Sequence, residues 1–463
     1  MLPTKIVVIG AGSASFGLNT VSALLGSQRL RGSQLALVDR NVESLRHIKL
    51  LADRLNREWG AEMEITAYGD HVPALAGTEF VVSAIEVPPR EMLWRQDFEI
   101  PLKYGVRQPY AENGGPGGFA HSARNIAPVL QIVRDMESYC PSAWFINFTN
   151  PMARICDAIA RYSTIKVVGL CHQIFACYRM VGIVLADVLQ IEVPEGTIST
   201  YVHPDVWPRQ QILSRQAQAK IDVLAAGLNH FTWMLDLRDR RTGQDLYPLF
   251  AERWAAFDPT FHPLTRRIFA VFGVFPVPGD GHLCEYLPWV SDPVTKPWEK
   301  YRLRLYDWDL MDQRRGQGHA SIARMAKGDA PVDHLRSLDS EGALEIIESI
   351  AGAADHYQLA VNLPNHGYIS NLPDGAIVEV PGHVSGAGVS GVGVGHLPDG
   401  IAELCRREIT VSQLSVDAAV TGDRQLALQC LLLDPVITDL DMAVSILDDY
   451  LETYRELLPQ FWE

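Results

Sequence analysis

No stretch of this 463-residue chain approaches the roughly 20 consecutive apolar residues that a membrane-spanning helix requires. Basic residues are also scarce. Against 55 aspartates and glutamates stand 40 lysines and arginines, a net charge of -15, and they form no basic stripe. That balance argues against nucleic acid or an anionic membrane as a partner, while leaving room for a local basic pocket. Cysteine usage fits reduced thiols better than a disulfide framework. The seven residues Cys140, Cys156, Cys171, Cys177, Cys284, Cys405 and Cys430 are odd in number and scattered, as reduced thiols are. The first apolar strand begins within about five residues of Met1, leaving no space for a secretory leader, so a cytoplasmic protein is expected. Internal repeats are lacking too.

What is present is a globular composition, 47% apolar and 21% charged, on a chain too long for one ordinary core. Two domains are expected, residues 1–195 and 196–463. The clearest stretch is Lys5 to Gly17, KIVVIGAGSASFG. An apolar strand runs into a glycine turn and then into a helix, whose free N–H groups and positive dipole end suit a pyrophosphate. Gly10 and Gly12 fit the first two glycines of a dinucleotide fingerprint; Ser15 takes the third place, with Gly17 two residues on. A second strand ends at Asp39, where a carboxylate would accept hydrogen bonds from a ribose and repel a 2′-phosphate. NAD is therefore expected over NADP, on Gly10, Gly12, Ser13, Ser15, Phe16 and Asp39, with Arg40 the one neighbour pulling the other way.

Apolar strands alternating with helices up to about residue 170 predict an α/β fold with a doubly wound parallel sheet of Rossmann type. The glycine-dense run Tyr110 to Gly118 predicts a loop that approaches a ligand, with a helix resuming at Phe119. Strands at 143–148 and 165–170 end in Thr149-Asn150-Pro151-Met152 and Cys171-His172-Gln173, placing polar groups at one sheet edge. The second half predicts a strand through Gly227-Leu228-Asn229-His230-Phe231, helices near 249–257, 264–272, 344–353, 425–432 and 440–457, and an extended segment at 361–380.

Cys171, His172 and His230 form the sharpest chemical constellation. A thiolate and an imidazole brought together could bind an exchangeable divalent cation able to chelate substrate. Asp280 and His282, flanked by glycines, offer a general base, and Glu112 is a second carboxylate beside the presumed crevice. Arg90, Arg95 and Arg124 are candidate partners for a substrate carboxylate.

GAGSASFG, the chain from Asp97 through KYGVRQ to the glycine loop, TNPM, GLCH, GLNH, and Asn362-Leu363-Pro364-Asn365 through NLPDGAIVEVP together resemble glycoside hydrolase family 4. The likeness runs in order along nearly the whole chain. It implies a Rossmann domain related to lactate and malate dehydrogenases, a second mixed α+β domain, and dependence on NAD and Mn2+ or a similar divalent ion such as Co2+, Ni2+ or Fe2+. It further implies Cys171 and His230 as metal ligands, Asn150, His172 and Asn113 as sugar contacts, Asp280 as the base and Glu112 as the acid. This chain has Glu112-Asn113 where many members carry Asp-Thr.

The implied reaction explains why a hydrolase would need a redox cofactor. A hexoside C2 proton is too weakly acidic for a carboxylate until hydride transfer from C3 makes the neighbouring carbon a ketone. Deprotonation at C2, loss of the aglycone, water addition and hydride return then complete hydrolysis with the cofactor regenerated. The sugar is galacto, gluco or hexuronic. A sugar or hydroxy-acid dehydrogenase on the same fold is the main alternative, and a non-catalytic NAD-responsive binding protein is the third. A homo-oligomer, dimer or tetramer, is expected from the general preference for closed symmetry.

Overall fold

The computed structural model describes residues 3–201 and 204–462. Its first six strands are β1 (Lys5–Ile9), β2 (Gln34–Val38), β3 (Glu64–Tyr68), β4 (Phe80–Ser83), β5 (Trp144–Asn147) and β6 (Lys166–Gly169). They pair in parallel in the order β3-β2-β1-β4-β5-β6, the arrangement of dinucleotide-binding sheets. Helices cover both faces, so the inner strands are apolar on both sides: Ile6, Val7, Val8, Val81, Phe145 and Ile146 are all at most 3% exposed. Local signals set the helix ends. The helix Val42–Trp59 starts where the Asn41 side chain accepts the Ser44 N–H (3.0 Å) and stops at Gly60 in the left-handed region, φ 66°.

The remaining strands are β7 (Ile221–Leu228), β8 (Phe231–Asp239), β9 (Phe275–Pro276), β10 (His356–Pro364), β11 (Ile377–Ser385) and β12 (Gly388–Gly391). They are antiparallel and extend the same sheet, β6-β10-β11-β7-β8-β9, with β12 on β11. Two polar residues mark the joins: Asn362 pairs with Gly169 and Glu379 pairs with Gly227. The Glu379 carboxylate, 1% exposed, accepts from Asn229 (2.6 Å) and Asn362 (3.0 Å), so side chains of three strand segments are tied at the sheet centre.

The sequence reading differs from the fold in three places. Gly115 to Gly118 is the first turn of the helix Gly115–Tyr139, with Pro116 in the N-terminal position that its missing N–H allows. The strand expected through GLNH is a hairpin, β7 and β8, whose turn is Asn229-His230 with His230 at φ 62°. Helices Arg90–Leu102, Met152–Tyr162, Gln173–Val184, Trp207–Gln218, Trp308–Lys327 and Asp399–Thr421 lie where the sequence reading names no helix.

The C-terminal helices return to the first half. Asp399–Thr421 packs on Gly115–Tyr139 and Met152–Tyr162, and Leu440–Thr453 packs on Arg90–Leu102. Tyr454 Oη donates to Asp97 Oδ1 (2.8 Å), which also receives Arg124 (2.7 Å); both members of that ion pair are buried. Beneath this layer Glu408 and Asp434 are buried together, near Arg154 and Arg407. Burial, and then the charge of Asp434, pushes Glu408 above the usual carboxylate range, and burial pushes Asp434 the same way. The native state therefore holds protons that the unfolded chain, titrating near about 4, gives up, so the contribution of this pair to stability falls as pH rises from the ordinary carboxylate range. Buried neutral His230 and His262 act in the opposite sense, so we expect the slope of the thermal midpoint against pH between pH 5 and pH 8 to become more positive in Glu408→Gln than in the unchanged protein. An unchanged slope in the variant would remove Glu408 as a contributor.

Candidate active site

The nucleotide turn follows β1. Gly10, at φ 83°, donates its N–H to Val38 O (2.9 Å), and the Gly12 N–H donates to Asp39 Oδ2 (2.8 Å). A Cβ on Gly12 would lie 2.8 Å from that oxygen. One on Gly17 would lie 2.2 Å from Ala11 O, so Gly17 performs the close helix–strand packing of a third fingerprint glycine. Ser15 is exposed at the N-cap, and no side chain caps the helix Phe16–Gly26. Ser13 and Ser15 line the turn (Oγ to Oγ 3.4 Å), and the Phe16 ring rests on Phe148 (5.4 Å). An open helix N-terminus, a glycine cradle and a carboxylate at the end of β2 fit a dinucleotide.

The carboxyl ends of β5 and β6 and the β7–β8 turn meet over one crevice. Cys171 Sγ faces His230 Nε2 at 3.3 Å, and His230 Nδ1 is buried with no partner among the described residues. Metal bonds of about 2.3 Å to sulfur and about 2.1 Å to nitrogen place two such donors about 3–3.6 Å apart, so the pair fits a shared cation. Burial, then the two neighbouring histidines, holds His230 well below its usual value and hence neutral, as a ligand must be. The left-handed backbone of His230 is the kind of local strain that persists where a side chain must be aimed.

His230 stacks on His282 (centroids 4.3 Å apart), and His282 Nδ1 contacts Glu285 Oε1 (2.9 Å). Burial opposes the charged imidazole, but Glu285 and then Glu112 outweigh it and raise His282. The second oxygen of Glu285 accepts the N–H groups of Glu112 (3.0 Å), Asn113 (2.7 Å) and Gly114 (3.2 Å). Glu112 Oε1 in turn meets Arg90 (3.2 Å) and Asn150 Nδ2 (3.4 Å), and its Oε2 accepts from Asn113 Nδ2 (3.3 Å). One donor atom from each of Glu112, His282 and Glu285 lies within 4.8 Å of the others, a second set able to contact a cation. His172, on the open side, pairs through Nδ1 with Glu341 Oε1 (3.2 Å), whose charge holds it above its usual value.

Behind the loop, His121 bridges Glu86 Oε2 and the Glu112 carbonyl, each at 3.0 Å. Burial works against the Glu86 charge, yet His121 and Arg90 bring its pKa down to about 2. Of the three arginines considered for a substrate carboxylate, only Arg90 reaches the crevice. Arg95 pairs with Asp309 at the surface (2.5 Å) and Arg124 with Asp97 in the core.

The fold thus gathers Cys171, His172, His230, Asn150, Glu112 and Asn113. Asp280 stands apart in its bonding. Fully buried, it accepts the N–H groups of Leu264 (3.0 Å) and Thr265 (2.7 Å) and the Thr265 hydroxyl (2.7 Å), at the start of the helix Pro263–Phe272. Burial raises it to about 6, a value suited to a base, while its bonds hold it as a helix anchor. We expect Asp280→Asn to lower the melting temperature, since a buried charge-assisted cap is lost. Solvent exchange at substrate C2 under the same conditions reads the base role separately.

The sequence reading gives neither Glu285 nor Glu341 a chemical role. The i,i+3 spacing of His282 and Glu285 was a usable signal for the first; nothing local marks Glu341.

Taken together, a dinucleotide turn and a thiol–imidazole pair at the carboxyl edge of one sheet define a nucleotide-dependent α/β enzyme. Comparison with known proteins supplies the family. The model of the family 4 glycosyl hydrolases matches residues 5–187, and that of the family 4 glycosyl hydrolase C-terminal domain matches residues 225–437. An alpha-glucosidase of Erwinia rhapontici is 30% identical over 94% of each chain. An alpha-galactosidase of Bacillus subtilis is 29% identical over 99% of each. A solved 6-phospho-alpha-glucosidase from gut microorganisms, in complex with NAD and Mn2+, superposes with a TM-score of 0.77 at 21% identity, covering 99% of this chain and 100% of its own.

The chain belongs to family 4 of the glycosyl hydrolases. That family is the NAD-dependent exception among glycosidases, so the protein is an NAD-dependent glycoside hydrolase. None of its described helices is long and apolar enough to cross a membrane.

Proposed function

We propose that the protein hydrolyses α-linked hexosides in this crevice, with NAD on the Gly10–Asp39 turn and Mn2+, or Co2+, Ni2+ or Fe2+, on Cys171 and His230. The observation that carries the reading is the convergence of Cys171 Sγ and His230 Nε2 at 3.3 Å, beside Asn150, Glu112 and His172. Bound there, the nicotinamide supplies reversible hydride transfer and the cation a Lewis acid for sugar oxygens.

The chain's own groups do the rest. Asn150 and Asn113 hydrogen-bond sugar hydroxyls. His172, held through Nδ1 beside Glu341, hydrogen-bonds another oxygen of the sugar. Glu112, steadied by Arg90 and by the Glu285 anchor under its loop, exchanges a proton with the leaving oxygen at C1. Asp280 receives the C2 proton, which requires it to release one of its bonds to Leu264 or Thr265. We also assign the two-part organisation at residue 195, supported by the change from parallel to antiparallel strands. A cytoplasmic location and a dimeric or tetrameric assembly complete the proposal.

A panel of aryl α-galactosides, α-glucosides and α-hexuronides, assayed with NAD, Mn2+ and a thiol reductant, tests the function. Aglycone release over many turnovers without net NADH is expected. Stoichiometric NADH from free sugars with no aglycone released would establish a dehydrogenase instead.

A further inference from the structure

A carboxylate as deeply buried as that of Glu379 on β11 needs donors around it. Its Oε2 accepts Asn229 Nδ2 (2.6 Å) and Asn362 Nδ2 (3.0 Å), and the Thr232 hydroxyl hydrogen-bonds it as well. Thr232 Oγ1 in turn accepts Gln173 Nε2 (2.5 Å), and Asn362 Nδ2 also reaches Gly169 O (3.4 Å). All of these residues are buried. Asn229 Oδ1, Asn362 Oδ1 and Gln173 Oε1 have no partner among the described residues, so the three amides are oriented by the N–H groups they give to this network.

The places these arms reach are specific. Asn229 directly precedes His230 and Thr232 follows it by two residues, while Gly169 and Gln173 stand two residues before and two after Cys171. Both cation-ligand candidates are thus bracketed on both sides by groups that lead to one carboxylate. The Asn229 side chain also hydrogen-bonds the Cys171 thiol, which links the two brackets directly. Backbone pairing does not do this work. In the sheet β10 and β11 stand between β6, which ends before Cys171, and β7, which ends before His230, and the joins β6–β10 and β11–β7 are one register pair each. Main-chain bonds therefore leave the spacing of the two ligands weakly specified, and His230 sits in a left-handed conformation that something must hold.

We propose that Glu379 is the positioning residue of the cation site: through Asn229 and Thr232 on one side, and Asn362 and Gln173 on the other, it holds Cys171 Sγ and His230 Nε2 at the separation a divalent cation requires. This rests on the cation assignment made above and deepens it. Groups that orient metal ligands contribute about 10–100-fold to metal affinity, by keeping the site preorganised.

The test is titration of the NAD-loaded protein with Mn2+ by electron paramagnetic resonance, with NAD affinity measured in parallel by calorimetry. Glu379→Ala is expected to weaken Mn2+ by about 30-fold or more while NAD affinity stays within about 3-fold. Thr232→Val keeps the side-chain shape and removes only the hydroxyl, and is expected to weaken Mn2+ by about 10-fold. In the double variant Mn2+ affinity should match that of Glu379→Ala, because the hydroxyl has lost the group through which it acts. Glu379→Gln keeps an oxygen for Asn229 and Asn362 and should recover part of the loss. Thr232→Val decides the matter even where Glu379→Ala yields no folded protein. Mn2+ affinity within about 3-fold of the unchanged protein in Thr232→Val or in folded Glu379→Ala, or Mn2+ and NAD affinities falling together, would reduce Glu379 to a strut of the sheet and overturn the proposal. Failure of the cation assignment itself is seen separately, as full Mn2+ affinity in Cys171→Ser.

Discussion

Replacing Cys171 with serine is expected to weaken Mn2+ binding by more than about 100-fold and to abolish metal-dependent turnover, with NAD affinity unchanged. Loss of a partner one bond removed from a metal already costs up to about 100-fold, so loss of a direct ligand costs more. The nucleotide turn is built from β1, β2 and the Phe16–Gly26 helix, none of which includes Cys171, so cofactor binding has no reason to change. The pH dependence gives a second signature. Burial, then the charges of Glu379 and Glu341, pushes the Cys171 thiol well above its usual value, so the metal-free site holds a proton that the cation must displace. Mn2+ affinity should therefore rise about tenfold per pH unit across the neutral range, and the serine variant should lose that slope. Titration of Mn2+ by electron paramagnetic resonance checks both statements. Full Mn2+ affinity in Cys171→Ser would remove the thiol from the ligand set.

Replacing Glu285 with alanine is expected to cost about 100-fold or more in kcat/KM on whichever aryl glycoside the protein cleaves. One carboxylate oxygen accepts three consecutive backbone N–H groups, at Glu112, Asn113 and Gly114, and the other meets His282. Without it those buried donors go unsatisfied at roughly 1–3 kcal/mol each, and the loop carrying Glu112 loses its fixed position. A displacement of about 1 Å at a reacting group is enough for a 100-fold loss. Contact at the loop is already tight, since a Cβ on Gly114 would lie 2.4 Å from Glu285 O. Glu285→Gln keeps an oxygen for the three donors and should lose less than alanine. Activity within about 3-fold of wild type in the alanine variant would mean that the loop holds itself.

The sequence by itself determined the parallel half of the sheet and which polar groups stand at its carboxyl edge. Buried parallel strands must be apolar runs and a nucleotide turn must be glycine-rich, so both are written locally at Lys5–Gly17, Gln34–Asp39 and Phe80–Ser83. The residues at strand ends, Asn150, Cys171 and His172, were equally legible because polar groups directly after apolar strands collect at one edge. Tertiary structure alone decided the rest. The antiparallel strands join the first sheet through Asn362 on Gly169 and Glu379 on Gly227, pairings between segments far apart in sequence that no local pattern specifies. Asp280, a turn residue in a Pro-Gly-Asp-Gly run, became a helix anchor because the helix Pro263–Phe272 presents its unpaired N–H groups there. Glu285 became the support of the Glu112 loop because the chain returns 171 to 173 residues later to bring its carboxylate under three amides. Residue type and local spacing fix which groups can do chemistry; which of them are free to do it depends on what the rest of the fold has already bonded.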